Sequence, residues 1–378
     1  MKKTCLLLAI ATLLSTACNC TRTTPVTPED PIDFDVPPQP VPTPSFAKGA
    51  DISWVSEMEK DGRTFQLKSG AKADIMDVLK ETGVNAIRLR VWVNPTGGWS
   101  GKDDVVKLAT RAAKAGLALM VDFHYSDFFA DPGRQDIPGA WAADKNDLDK
   151  MAKHVSDHTT EVLKALQDAS VTPNWVQVGN ETRNGMLWPT GSLSQGGEEW
   201  TDKGWENYIH LYKAGYSAVK SVFPSCIVMP HLNNAFNPSN DNYWWFKRFK
   251  ESGAPYDMIA LSHYPQDSWE NNKQVDWDNA NSRAINYIKS LAADMGVSVI
   301  VAEIGVKTNA NLNLATQVMS EFMSEAKKID KCTGIFYWEP EVDGKWKPAV
   351  YGPLGWNAYD MGAFTADGKA TSVMDAFK

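Results

Sequence analysis

The stretch Asn174-Trp175-Val176-Gln177-Val178-Gly179-Asn180-Glu181 decides how this chain is read. Its middle, Trp175 to Val178, has the aromatic and β-branched residues of a short buried strand, bounded by Pro173 and Gly179. The strand ends by delivering an amide and a carboxyl side by side. In a parallel α/β barrel that end is the face where chemistry is done. A second apolar run, Val297-Ser298-Val299-Ile300-Val301-Ala302, ends the same way at Glu303. One Glu so placed can equally cap a helix or pair with a base. Two of them, with Asn180 beside the first, point to paired-carboxyl chemistry of the kind that cuts glycosidic bonds.

Around these two runs the chain alternates strand and helix. Apolar strand patterns fall at 48–53, 86–92, 117–124, 175–178, 225–231, 258–262, 297–302 and 334–338. Helical patterns fall at 71–81, 103–115, 147–169, 207–222, 241–251, 282–295, 314–328 and 370–377, with Gly83, Gly116 and Gly296 as stop signals. Parallel neighbours need crossovers, so eight such units in one run of 46–378 predict a single closed (β/α)8 TIM barrel. A doubly wound sheet is disfavoured because no Gly-x-Gly-x-x-Gly follows the first strand.

Residues 1–17 read as a lipoprotein signal peptide. Lys2 and Lys3 precede an apolar stretch too short to span a bilayer, and Ser15-Thr16-Ala17-Cys18 resembles a lipobox with Cys18 as the lipidated residue. Ser15 stands where Leu is usual, which keeps an ordinary signal peptidase site as the alternative. Residues 18–45 are Pro- and Thr-rich and read as a flexible tether. The expected product is an exported lipoprotein on the periplasmic or outer face of a membrane, monomeric and held by its N-terminal lipid. A net charge of −8 without a basic patch argues against nucleic acid. Fifteen Trp, 11 Tyr and 14 Phe favour a partner with apolar faces and polar edges, as sugars have. Cys226 and Cys332 start strands that are not neighbours, so a disulfide between them is not expected. No Cys/His spacing suits a metal, and no cofactor is implied.

Polar residues gather where strands finish: Asp51, Arg88, Arg90, His124, Asn180, Glu181, His231, Tyr264, Glu303 and Trp338. Arg88 and Arg90 are two apart and share a face. Buried cations there need carboxylates, either as a structural network or to keep a nucleophile ionised. The second reading makes Glu303 the nucleophile, held by Arg88 and Tyr264, and Glu181 the acid/base. Asn180 then donates to a sugar 2-hydroxyl. Trp338 is the candidate floor of the cleaved-sugar site, and Trp92, Trp141 and Trp188 are candidate linings for further sugars, each with ordinary packing as the alternative.

Six runs in order carry a resemblance: Gly49-Ala50-Asp51-Ile52-Ser53; Arg88-Leu89-Arg90-Val91-Trp92-Val93-Asn94-Pro95; His124-Tyr125-Ser126-Asp127 with Ala130-Asp131-Pro132; Val178-Gly179-Asn180-Glu181 with Gly185-Met186-Leu187-Trp188-Pro189; Ser262-His263-Tyr264-Pro265; and Tyr337-Trp338-Glu339-Pro340. Together the chain resembles glycoside hydrolase family 53 of clan A, the endo-β-1,4-galactanases. The resemblance implies hydrolysis of β-1,4-galactan, the side chains of pectin and of type I arabinogalactan, with retention through a covalent galactosyl-enzyme. It implies Glu181 as acid/base and Glu303 as nucleophile, converging to about 5 Å. The alternatives are another clan A endo-glycanase (mannanase, cellulase or xylanase) or a non-catalytic surface glycan-binding protein. Two departures stand out. Some bacterial relatives carry calcium in the loop after strand seven, but here that loop offers Asn309, Asn311 and Asn313 without Asp or His, so no calcium is expected there. His263 stands where relatives often have an aromatic residue.

Overall fold

A computed structural model describes residues 37–378 except Gln195; the expected signal peptide, the expected lipidation site Cys18 and most of the expected tether lie outside the described residues. Eight parallel strands form the sheet: β1 Ala47–Asp51, β2 Ala86–Val91, β3 Ala118–Phe123, β4 Trp175–Val178, β5 Ile227–Met229 continued as His231–Leu232, β6 Met258–His263, β7 Ser298–Ile304 and β8 Cys332–Trp338. Hydrogen-bonded neighbours run from the second piece of β5 through β6, β7, β8, β1, β2, β3 and β4 to the first piece of β5. The two ends of that series are one strand, so the sheet closes on itself. The break falls at Pro230, which has no N–H to give the ladder. Its carbonyl still accepts the Ala260 N–H at 3.0 Å.

The outer helices are α1 Ile75–Glu81, α2 Lys102–Lys114, α3 Leu148–Asp168, α4 Asp202–Val222, α5 Asp241–Glu251, α6 Trp277–Met295 and α7 Leu312–Ala326. Several starts differ from the sequence expectation. α1 begins at Ile75 because Lys72–Ala73 pairs with Phe65–Gln66, after which Asp74 caps the helix through the Met76 N–H. α4 begins five residues early, where the Thr201 hydroxyl accepts the Gly204 N–H. The expected last helix is a 3-10 segment, Ser372–Phe377. A six-residue helix, Val55–Lys60, was not anticipated. The tether is not free throughout its described part: Asn174, just before β4, donates to the Val41 carbonyl and the Thr43 hydroxyl, both at 2.9 Å. Cys226 and Cys332 are buried free thiols. No helix among the described residues is long and apolar enough to cross a membrane.

Inside the barrel one apolar cluster draws on all eight strands, with Ala47, Ala86, Met120, Trp175, Met229, Ala260, Ile300, Ala302 and Phe336 among its members. Trp175 and Phe336 meet edge to face, 6.0 Å between centroids. Gly49 makes room for the Phe336 ring, since a Cβ there would lie 2.1 Å from it. Side chains alternate along a strand, so two residues beyond each apolar member the interior is occupied again. There it turns polar: Arg88 follows Ala86, Asp122 follows Met120, Gln177 follows Trp175, His231 follows Met229 and Ser262 follows Ala260. The apolar plug is therefore the floor of a charged mouth.

Simple alternation fails in β7, whose register shifts against both of its neighbours. Ala302 faces the interior, so Glu303 would face the helices. However, the β6–β7 register runs Leu261↔Val301 and then Ser262↔Glu303, one residue against two. This bulge in β7 turns Glu303 back into the mouth.

Candidate active site

Arg88 is fully buried and organises the mouth. Its Nε donates to Gln177 Oε1 at 2.6 Å and its Nη1 to Asp51 Oδ2 at 2.6 Å. Its Nη2 meets Asp122 Oδ2 at 2.8 Å, Asn180 Oδ1 at 3.0 Å and Glu303 Oε1 at 2.8 Å. Burial opposes the charge on Arg88, but the carboxylates of Asp122, Glu303 and Asp51 outweigh it and hold the guanidinium as a cation. Burial likewise works against the Asp122 carboxylate, and Arg88 and His124 overcome it, leaving Asp122 at about 2. His124 Nδ1 accepts the Ala130 N–H at 2.9 Å, so its Nε2 carries the proton that faces Asp122 at 2.9 Å.

The two central carboxyls sit in unlike surroundings. Glu303 is buried, with Arg88 on one oxygen and the Tyr264 hydroxyl donating to the other at 2.9 Å. Burial pushes Glu303 above its ordinary value, and Arg88 and Tyr264 pull against that push. Glu181 has no such base. Burial and then the Glu303 charge raise it to about 8. Glu303 therefore ionises first, and its charge keeps the proton on Glu181. The backbone aims Glu181: Gly179 and Glu181 both have left-handed φ, +90° and +46°. A Cβ on Gly179 would lie 2.5 Å from Thr182. The left-handed conformation of Glu181 is strained for a residue with a side chain, as is common where function fixes the geometry.

The expected site residues separate into groups. Asp51, Arg88, His124, Asn180, Glu181, His231, Tyr264 and Glu303 converge in one network. Within it, Asp51 and His231 are fully buried behind Arg88 and Asn180, so they position other groups instead of meeting a ligand. Arg90 does not reach Glu303; it pairs with Glu339 and lies within 4.8–5.5 Å of the Phe129, Trp92 and Trp54 rings. Trp338 is half-buried at the mouth, edge-on to Trp54 at 5.1 Å and Tyr359 at 4.8 Å. Trp92 lines a cavity of about 490 Å³ with Trp54, Trp99, Phe128 and Phe129. Trp188 lines another, about 510 Å³, with Arg183 and Trp200 of the loop after β4 and Asp241 at the start of α5. Trp141 is different. It stacks on His154 of α3 at 5.2 Å and is buried there, so it is a packing residue and not a lining one.

Asp122, Gln177, Ser262 and Glu339 belong to the network but were not singled out in the sequence. Asp122 was within reach, since it lies two residues before His124 on the same face. Glu339 was not, because it lies beyond β8 with a left-handed φ of +47° that strand periodicity does not foresee. His263 faces away from the mouth: its Nε2 meets Asn281 Oδ1 at 2.9 Å and its ring packs on Phe322, so its identity leaves Tyr264 undisturbed. In the loop after β7, Asn311 caps α7 through the Leu314 N–H, and Thr308 and Asn309 donate to the carbonyls of Gly362 and Gly344. Among the described residues no group of three or more His, Cys, Asp or Glu side chains is placed to hold a metal ion.

A closed eight-stranded barrel that holds one carboxyl between a buried arginine and a tyrosine, and a second one protonated beside it, has the equipment of a glycoside hydrolase. The family model for glycosyl hydrolase family 53 matches residues 47–377, and the chain belongs to that family. It is 28% identical over 344 residues to an arabinogalactan endo-beta-1,4-galactanase of Thermothelomyces thermophilus, covering 88% of this chain and 98% of that one. With an enzyme of the same name from Cellvibrio japonicus it shares 38% identity over 228 residues, 58% of this chain and 57% of that one. Its structure superposes on the family 53 catalytic domain of Ignisphaera aggregans with a TM-score of 0.74 at 27% identity, covering 90% and 98% of the two chains.

Proposed function

We propose that this chain cleaves internal β-1,4 bonds of galactan, including the galactan backbone of type I arabinogalactan, with retention of anomeric configuration. The observation that carries the reading is the unequal treatment of two neighbouring carboxyls: Glu303 is held by Arg88 and Tyr264, while Glu181 keeps its proton to about pH 8. Glu303 attacks the anomeric carbon, and Glu181 gives its proton to the departing glycosidic oxygen. Glu181, now ionised, then removes a proton from water as that water displaces Glu303 from the covalent galactosyl-enzyme. Asn180 has one amide proton on the Ala130 carbonyl at 2.7 Å and a second available for the sugar 2-hydroxyl. Trp338 supplies a flat face for the sugar being cut, with Trp92 and Trp188 in the cavities that receive the rest of the chain.

The test is chemical rescue. Glu303→Ala and Glu181→Ala should each abolish nearly all activity on linear galactan. Azide should then yield β-galactosyl azide from the Glu181 variant and the α-anomer from the Glu303 variant. Full turnover by either variant overturns the assignment. We also propose export as a monomeric lipoprotein anchored through Cys18, on the strength of the leader sequence. Cys18→Ser should release the enzyme from membranes, and unchanged membrane association would reject the anchor.

A further inference from the structure

Glu181 holds a left-handed φ of +46°, a conformation that persists in a residue with a side chain only where its neighbours fix it. φ and ψ are the relative turns of two peptide planes, so whatever grips the planes on either side of Glu181 sets the direction of its carboxyl. The plane after it is gripped from β5 and α4. There the Thr182 N–H donates to the His231 carbonyl at 2.9 Å, and the Thr182 hydroxyl lies 2.8 Å from the Tyr208 hydroxyl.

The plane before it joins Asn180 to Glu181. Its N–H end reaches His231 Nδ1 at a long 3.4 Å. Its carbonyl end has the better hydrogen bond, from Gln135 Nε2 at 2.9 Å. Gln135 is buried in the loop after β3, and the same nitrogen donates to the Asp131 carbonyl at 3.0 Å. Both partners only accept, so the amide fits one way round and both of its hydrogens are committed. Gln135 is itself held: its own carbonyl accepts the Trp188 N–H at 2.7 Å, and nearby Asn184 Nδ2 donates to the Pro132 carbonyl at 2.8 Å. The Asn180 side chain completes the clasp on the Ala130 carbonyl at 2.7 Å. The loops after β3 and β4 therefore close on each other around the Asn180–Glu181 peptide.

We propose that Gln135 is a positioning residue for the acid/base. By holding the Asn180 carbonyl it keeps the Asn180–Glu181 peptide turned so that the Glu181 carboxyl stays within reach of the glycosidic oxygen. Without that grip the peptide rotates, the left-handed strain relaxes and the carboxyl is carried off line. Gln135 acts through the backbone of Glu181 and not on the substrate. The proposal rests on Glu181 being the acid/base.

A misplaced acid leaves a signature that a loosened fold does not. A poor leaving group needs the proton from Glu181 as its bond to the anomeric carbon breaks, whereas dinitrophenolate departs without it. The experiment measures kcat/KM, which reports this first step, on linear galactan and on aryl β-galactobiosides graded from phenyl to dinitrophenyl. Gln135→Met keeps the length of the side chain and removes both donors. It should lose about tenfold to a hundredfold on galactan, with the loss shrinking steadily as the leaving group improves. Glu181→Ala should show the same order with a larger span. An equal loss across the series, or none on galactan, overturns the proposal. Should Gln135→Met not fold, Gln135→Asn keeps an amide drawn back by one methylene; it should show the same trend over a smaller range, and an equal loss there is likewise a refutation. If Glu181→Ala itself loses equally on every substrate, the acid/base assignment fails and takes this inference with it. If Glu181→Ala shows the graded loss and the Gln135 variants do not, only the role of Gln135 is wrong.

Discussion

Replacing Arg88 by lysine keeps a positive charge in the mouth and removes the fork. The guanidinium makes five polar contacts, with Gln177, Asp51, Asp122, Asn180 and Glu303. An ammonium has three donors on a flexible stem. At least two contacts to buried acceptors are lost, at about 1.5–3 kcal/mol each, or about 3–6 kcal/mol of folding stability. For a domain of about 330 residues, with an unfolding entropy near 2.1 cal/mol/K per residue, this lowers the melting temperature by about 4–9 °C. Glu303 also loses the group that opposes its burial, so its protonation moves to higher pH and the acid limb of the rate profile follows. Misplacing the nucleophile should lower kcat by about 10²-fold. Calorimetry at neutral pH and a kcat/KM profile on galactan read both effects. A variant that melts within about 1 °C of the wild type and keeps its acid limb would show that charge alone, and not the planar fork, holds the mouth together.

The alkaline limb of kcat/KM should have an apparent pKa of about 8, because Glu181 must be protonated to serve as acid and loses that proton as pH rises through its folded value; a plateau to pH 10 would remove Glu181 from the role. Tyr264→Phe removes the 2.9 Å hydrogen bond to Glu303 and should raise the acid limb while lowering kcat by about 10-fold, roughly 1.4 kcal/mol; unchanged kinetics would place Tyr264 outside the mechanism. Trp175→Ala opens a void in the barrel floor and should lower stability by about 3–5 kcal/mol in urea unfolding. Thr201→Ala removes the cap of α4 and should lower stability by about 1 kcal/mol, with activity unchanged.

Strand number and the closed parallel sheet were legible in the sequence because apolar runs record burial directly, whereas the inward turn of Glu303 was not, since the bulge in β7 breaks the period of two. Glu181 and Glu303 were legible because both end such runs. Helix starts were not. Thr201 begins α4 from a polar loop with no periodicity of its own, and Lys72 and Ala73 are taken from α1 by a ladder with residues remote in sequence terms from any strand pattern. Ser262 was passed over because a serine in a strand has no distinctive spacing, and its place in the network depends on a partner from β5, His231. Trp141 misled for the reverse reason: an indole in a loop at the active face looks the same in sequence whether it meets solvent or, as here, the flank of α3.

The extra residue in β7 has a further consequence. Two successive residues, Ala302 and Glu303, serve the interior, so deleting Ala302 would restore strict alternation from Val301 and leave Glu303 inward across from Ser262, with one side chain lost from the floor. Deletion of Ala302 should therefore give a less stable barrel whose carboxyl still faces the mouth, whereas straightening β7 with every residue retained would turn Glu303 toward the helices.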